Sequence, residues 1–169
     1  MNKIYLSENK TEEKFLRRKT VLFDFSKFTK KDIRELIRGM RETMKKANGV
    51  GLSANQIGLP YRMFVAQVPD LQGKKKFYAI FNPEILKTAG NTEISEEGCL
   101  SVPKTYGPIE RSYLVILSGY DRNGKKLKIK AWGMLARVFQ HEVDHLDGAL
   151  FIDKAKELYK VENDKINRI

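Results

Sequence analysis

Gln140-His141-Glu142-Val143-Asp144-His145-Leu146-Asp147-Gly148 is the stretch around which the rest of the chain is read. Its two histidines are the only two in the 169 residues. Four residues apart on a helix, they share one face, one turn apart, with Glu142 beside the first. This H-E-x-x-H pattern suits a catalytic cation held by two imidazole nitrogens, with a carboxylate nearby to handle protons. The helix is expected to begin near Gly133 and to end at Gly148. Met134, Leu135, Val138, Phe139 and Leu146 make it apolar on more than one side, which places it at the centre of the domain and not on its surface.

A catalytic cation commonly keeps three protein ligands and leaves one position for water or substrate. No histidine remains to serve as the third, so it must be a Cys, Asp or Glu elsewhere. The single cysteine, Cys99 in Glu97-Gly98-Cys99-Leu100-Ser101, is the simplest choice. Its alternative role is that of a small buried apolar residue. One thiolate and two imidazoles suit Zn2+, Fe2+, Co2+ or Ni2+, and the sequence does not choose among them. Water at the remaining position would be acidified enough to attack a carbonyl carbon, with Glu142 taking its proton and passing it to the leaving amine.

Outward from the motif, residues 30–47 are expected to be helical, because Ile33, Leu36, Ile37, Met40 and Met44 form one stripe at 3.6-residue spacing. Thr29 is the expected N-cap, with Asp32 completing a variant capping box, and Asn48-Gly49 the stop. Residues 49–60, Gly49-Val50-Gly51-Leu52-Ser53-Ala54-Asn55-Gln56-Ile57-Gly58-Leu59-Pro60, read as a loop. It lacks the lysine and spacing of a phosphate-binding loop, which argues against nucleotide binding. Strands are expected over 61–68, 76–82, 111–120 and 125–132, with turns at Leu71-Gln72-Gly73-Lys74 and Asp121-Arg122-Asn123-Gly124. Residues 1–28 yield little beyond an extended segment from Leu16 to Phe23. Leu150-Phe151-Ile152 is expected to pack back on the domain, and 153–169 to form a charged C-terminal helix. The sum is an α+β fold: antiparallel or mixed sheets around a central buried helix, with an N-terminal amphipathic helix, in a single catalytic domain spanning 1–169.

Bulk properties narrow the classes further. A hydrophobic content of 41% argues against disorder, and no apolar run approaches the ~20 residues that cross a bilayer. The N-terminal residues lack the apolar stretch of a secretory signal, and one free thiol suits a reducing compartment, so a cytoplasmic protein is expected. The net charge of +11, from 32 Lys+Arg against 21 Asp+Glu, is compatible with a polyanion such as ribosomal RNA or with a merely solvated basic surface. No RNA-binding signature accompanies the scattered lysines, and neither DNA nor a membrane is expected as a partner.

Three segments together resemble peptide deformylase. That family carries a G-x-G-L-A-A-x-Q loop, an E-G-C-L-S turn and a Q-H-E-x-D-H-L-x-G helix. Here Gly49 to Gln56, Glu97 to Ser101 and Gln140 to Gly148 stand in that order, and the resemblance covers roughly residues 15–155. Ser53 departs from the pattern, which usually has alanine there. The tail after the motif helix is a second departure, being short, and the lack of a long insertion between the loop and the cysteine turn looks like the compact bacterial form. The resemblance implies removal of the N-formyl group from the initiator methionine of nascent peptides, with Cys99, His141 and His145 on one metal ion, usually Fe2+ in the cell. It implies Glu142 as general base and acid, and Gln56 with the Leu100 backbone N–H as oxyanion donors. It also implies that Gly49-Val50-Gly51 accepts the peptide as an added strand, with Val50, Leu100, Met134 and Val138 around the methionine side chain. Arg111 is expected either to pair with Asp144 beneath the motif helix or to be a solvated arginine. Work at the ribosome exit fits the basic surface.

Three other readings compete. A zinc peptidase shares H-E-x-x-H but generally draws its third ligand, His or Glu, from further along the chain. A non-enzymatic ribosome- or RNA-binding protein would carry the metal structurally. A deformylase-like metallohydrolase could take a different acyl or peptide substrate, and Ser53 is the substitution to test for that.

Overall fold

A computed structural model describes residues 2–70, 72–162 and 165–168. The polypeptide forms a mixed α+β fold in which antiparallel strands make up one sheet. Helix α1 (Lys10–Leu16) opens it, followed by α2 (Lys30–Lys46), the short strand β1 (Gly51–Ser53) and a 3-10 turn at Ala54–Ile57. Strands β2 (Met63–Pro69), β3 (Lys75–Cys99), β4 (Val102–Tyr120) and β5 (Lys126–Trp132) lead into α3 (Gly133–Leu146). A 3-10 turn at Phe151–Asp153 and strands β6 (Tyr159–Glu162) and β7 (Lys165–Arg168) complete it. The strand order is β1-β2-β3-β4-β6-β7, with β5 paired to the other part of β4. No described helix is long and apolar enough to cross a membrane.

β2 shows why the core has two halves. Alternate side chains leave opposite faces of a strand. Phe64, Ala66 and Val68 pack with Val138, Phe139, Val143 and Leu146 of α3. Met63 and Val65 pack with Ile33, Met40 and Met44 of α2. The sheet is therefore covered by a helix on each face here, and β2 is apolar almost throughout. The cap of α2 forms as the sequence implies: Asp32 N donates to Thr29 Oγ1 at 3.2 Å, and Thr29 N donates to Asp32 Oδ2 at 2.8 Å.

Several local expectations are corrected. The described residues among 153–169 do not make the expected C-terminal helix. Instead β6 and β7 form an antiparallel pair, and β6 joins β4 at Thr105↔Lys160 and Tyr106↔Tyr159. The lysines and glutamate there favour a helix weakly, but an open sheet edge and a Tyr106–Tyr159 ring stack 6.0 Å apart outweigh that preference. The loop expected at 49–60 contains β1, paired to β2 through Gly51↔Ala66 and Ser53↔Phe64. The strand expected over 76–82 runs on to Cys99, because Pro83, Gly90 and Gly98 are absorbed by register shifts and not by a chain break. α1 carries no periodic apolar stripe to announce it, and is held by Asn9 Oδ1 accepting from Thr11 N and Glu12 N. The extended segment before Phe23 does lie along the domain, with Val21 bridged to Tyr61. The turn at 71–74 begins at a residue outside those described; Gly73, with φ +78, sits within it.

Candidate metal centre

Two elements deliver the cluster. α3 presents His141 and His145 on one face, their ring centroids 4.9 Å apart. The tight turn Leu100-Ser101 between β3 and β4 presents Cys99, and the register Cys99↔Val102 closes it. Cys99 Sγ lies 3.1 Å from His145 Nε2, which lies 3.2 Å from His141 Nε2. The three ligand atoms all fall within 4.8 Å of one another. Bonds of the usual lengths to one tetrahedral cation would hold two nitrogens about 3.3 Å apart, so the separation fits a shared ion.

The electrostatics of the cluster also fit a cation. Burial pushes the Cys99 thiol up, but His145 and His141 outweigh that and bring it down to about 5. Burial pushes the His141 imidazolium down, yet the Cys99 sulfur and the Glu97 carboxylate hold it up at about 10. The donor set thus calls for positive charge at its centre, which a divalent ion supplies while leaving both imidazoles neutral. His141 Nδ1 contacts Glu97 Oε2 at 3.0 Å, which fixes the tautomer that turns Nε2 toward the sulfur.

Behind the ligands lies a network of charges. Arg111, almost fully buried, grips Glu97 through Nε to Oε1 (2.9 Å) and Nη2 to Oε2 (2.8 Å), and reaches Asp144 through Nη1. Of the two roles weighed for Arg111, it is therefore the paired one that occurs. Lys154 Nζ closes on Asp144 at 2.6 Å. Arg137 Nη1 adds a third cationic contact to Glu97 at 2.8 Å. Burial pushes the Glu97 carboxyl up, but Arg111 and His141 hold it well below the usual carboxylate range. Gln140, the first residue of the motif, braces α3 against β4: its Nε2 donates to Ser112 O (2.9 Å) and its Oε1 accepts from Ser112 N (3.2 Å).

Glu142 is buried one residue beyond His141, and burial holds its carboxyl above the ordinary value. Ser53 Oγ is 2.6 Å from its Oε2. Gly51 makes room for the other oxygen: a Cβ there would sit 2.1 Å from Oε1, so no larger residue fits beside the carboxylate in this position. Gln56, also buried, accepts from Ser53 N at 2.8 Å, leaving its Nε2 3.1 Å from Ser101 Oγ and 3.5 Å from Cys99 Sγ.

A cleft of about 560 Å3, a size usual for small-molecule sites, brings these groups together. Gly49, Val50, Gly51, Gln56, Cys99, Leu100, Met134, Val138, His141 and Glu142 all line it. Buried His145 stands behind, as the third corner of the cluster. Every site residue named from the sequence thus gathers at one place. Not named were the roles of Glu97, Arg137 and Ser101. Glu97 was adjacent to the cysteine motif, but a contact 44 residues long in sequence to His141 leaves no local trace.

The family model of polypeptide deformylase matches residues 8–161. The peptide deformylase of Syntrophomonas wolfei is 48% identical over 122 residues, 72% of this chain and 76% of that protein. The crystal structure of peptide deformylase from Thermotoga maritima superposes with a TM-score of 0.80 at 35% identity, covering 92% of this chain and 98% of that one. A class I type b peptide deformylase from Acinetobacter baumannii with Met-Ala-Ser bound gives 0.80 at 28% identity, over 89% and 96% of the two chains.

Proposed function

The chain belongs to the polypeptide deformylase family, and on that footing we propose that it removes the formyl group from the initiator methionine of new peptides and releases formate. The observation that carries this reading is the convergence of Cys99, His141, His145, Glu142 and Gln56 on one cleft. Cys99, His141 and His145 would hold one divalent ion, Fe2+ in the cell, with Zn2+, Ni2+ or Co2+ as substitutes. When bound, that ion supplies Lewis acidity, which acidifies a water and polarises a carbonyl oxygen.

The protein's own groups do the rest. Glu142 accepts the proton of the attacking water as the oxygen adds to the formyl carbon. It returns that proton to the nitrogen as the C–N bond breaks, so that a free amine and formic acid leave, the acid giving its remaining proton to solvent to become formate. Gln56 Nε2 and the Leu100 N–H donate to the developing oxyanion. β1 is an edge strand, so the peptide adds along Gly49-Val50-Gly51, with the methionine side chain against Val50, Leu100, Met134 and Val138. The bound Met-Ala-Ser of the Acinetobacter relative supports a methionine-led peptide as the occupant. We read residues 1–169 as one catalytic domain that works in the cytoplasm.

The test is formate release from a formyl-Met tripeptide by anaerobically Fe2+-loaded protein. Release only of unformylated internal fragments would favour the peptidase reading, and no hydrolysis at all would favour a binding role. Gly51→Ala should cut the rate about 100-fold, since the added methyl must push the Glu142 carboxylate aside and small displacements at a reacting centre cost that much. A rate within a few-fold of the parent protein would show that the carboxylate has room to move and still work.

The charge of +11 supports contact with the ribosome near the emerging peptide. Cosedimentation with ribosomes at low salt, lost as salt is raised, is the expected result. Absence of binding at low salt would leave the basic surface as a solvated one.

A further inference from the structure

We infer that Ser53 is a positioning residue that fixes which oxygen of Glu142 handles the proton; the inference rests on the deformylase reading of Glu142. Ser53 ends β1 and is wholly buried. Its Oγ lies 2.6 Å from Glu142 Oε2 and 2.9 Å from the Glu142 carbonyl oxygen. A hydroxyl has one hydrogen to give. The contact to Oε2, at 2.6 Å, is the shorter of the two, so the hydrogen goes to the side-chain carboxyl oxygen.

That bond divides the two carboxylate oxygens. Oε2 is tied into the interior. Oε1 faces Gly51, the point where a Cβ would come within 2.1 Å of it, and both residues line the cleft. The proton taken from water therefore resides on Oε1 and leaves from Oε1 to the amine nitrogen, and none passes through Ser53. The same residue orients the second polar group of the site, because Ser53 N donates to Gln56 Oε1 and so turns the Gln56 Nε2 toward Cys99 and Ser101. Only the first of these two contacts needs the serine hydroxyl.

Ser53→Ala isolates that contact. Alanine removes a single oxygen and stands at this place in the family motif, so the variant keeps its fold, checked by an unchanged thermal midpoint. In the metal-loaded protein kcat should fall about tenfold, the scale of one hydrogen bond to a charged group, with KM unchanged. The carboxylate stretching band of Glu142, isolated by subtracting the spectrum of Glu142→Gln in the same background, should shift in Ser53→Ala. A band that does not move overturns the inference whatever the rate, because the hydroxyl then serves only the backbone carbonyl. A band that moves while kcat stays constant overturns it too, because the contact then does nothing for proton transfer. If the parent protein releases no formate, the deformylase reading falls, while the infrared band still decides whether Ser53 holds the carboxylate.

Discussion

Glu142→Gln should lower kcat by about 10³-fold, within the span that positioned acid–base groups contribute. The substitution changes almost nothing else. Glutamine has the same shape, so the space beside Gly51 stays filled, and its amide oxygen can still accept from Ser53 Oγ. Cys99, His141 and His145 are untouched, so the metal content should match the parent protein. What is lost is a group that can hold a proton between its removal from water and its arrival at the leaving nitrogen. The measurement is steady-state formate release alongside metal analysis of the same sample. A fall of less than about tenfold with the metal in place would mean that another group carries the proton. A fall accompanied by metal loss would show Glu142 to be structural. The non-enzymatic reading makes the opposite forecast, that Glu142→Gln leaves the protein's role intact.

The site was more legible in the sequence than the fold around it, for a physical reason. Two histidines at i and i+4 on an apolar segment fix their mutual geometry through the helix alone. Cys99 followed as the single cysteine left to complete the donor set, and the resemblance then supplied the role of Gln56; both lie on other elements. α2 was legible because its stripe and its Thr29–Asp32 cap are local features. β3 beyond Asn82 was not, because Pro83 and Gly90 read as breaks where the strand instead bulges; pairing with β4 from Glu84 to Cys99 is a long-range fact. The tail misled for the same reason. Nothing in Tyr159-Lys160-Val161 announces that Tyr106, more than fifty residues earlier, offers it an open edge. Local propensity speaks for a segment alone, and these segments are decided by their partners.

Arg111→Met should destabilise the protein by about 3 kcal/mol, the low end of the cost of removing one partner from a buried ion pair. Among the described residues, Arg111 is the only side chain that touches both acids of the network, Glu97 and Asp144. Methionine fills the space but leaves two carboxylates short of positive charge. The loss stays near the low end because Glu97 keeps Arg137 and Asp144 keeps Lys154. Arg111→Lys should recover little, since an ammonium cannot make the paired Nε and Nη2 bonds to Glu97. A second effect separates this network from ordinary packing. Glu97 also orients His141, so a less constrained Glu97 should weaken metal binding by about 10- to 100-fold. The pH dependence has a definite sign. The Glu97 carboxyl is held below its usual 4.5, so the stability it lends is present above that pH and is lost as the pH falls below it. The gap between parent and Arg111→Met should therefore be full near neutrality and narrow in acid. Urea unfolding at several pH values measures it. A gap below about 1 kcal/mol at neutral pH would mean that Arg137 and Lys154 suffice to neutralise the two acids. A gap that does not shrink in acid would assign the loss to packing and not to charge.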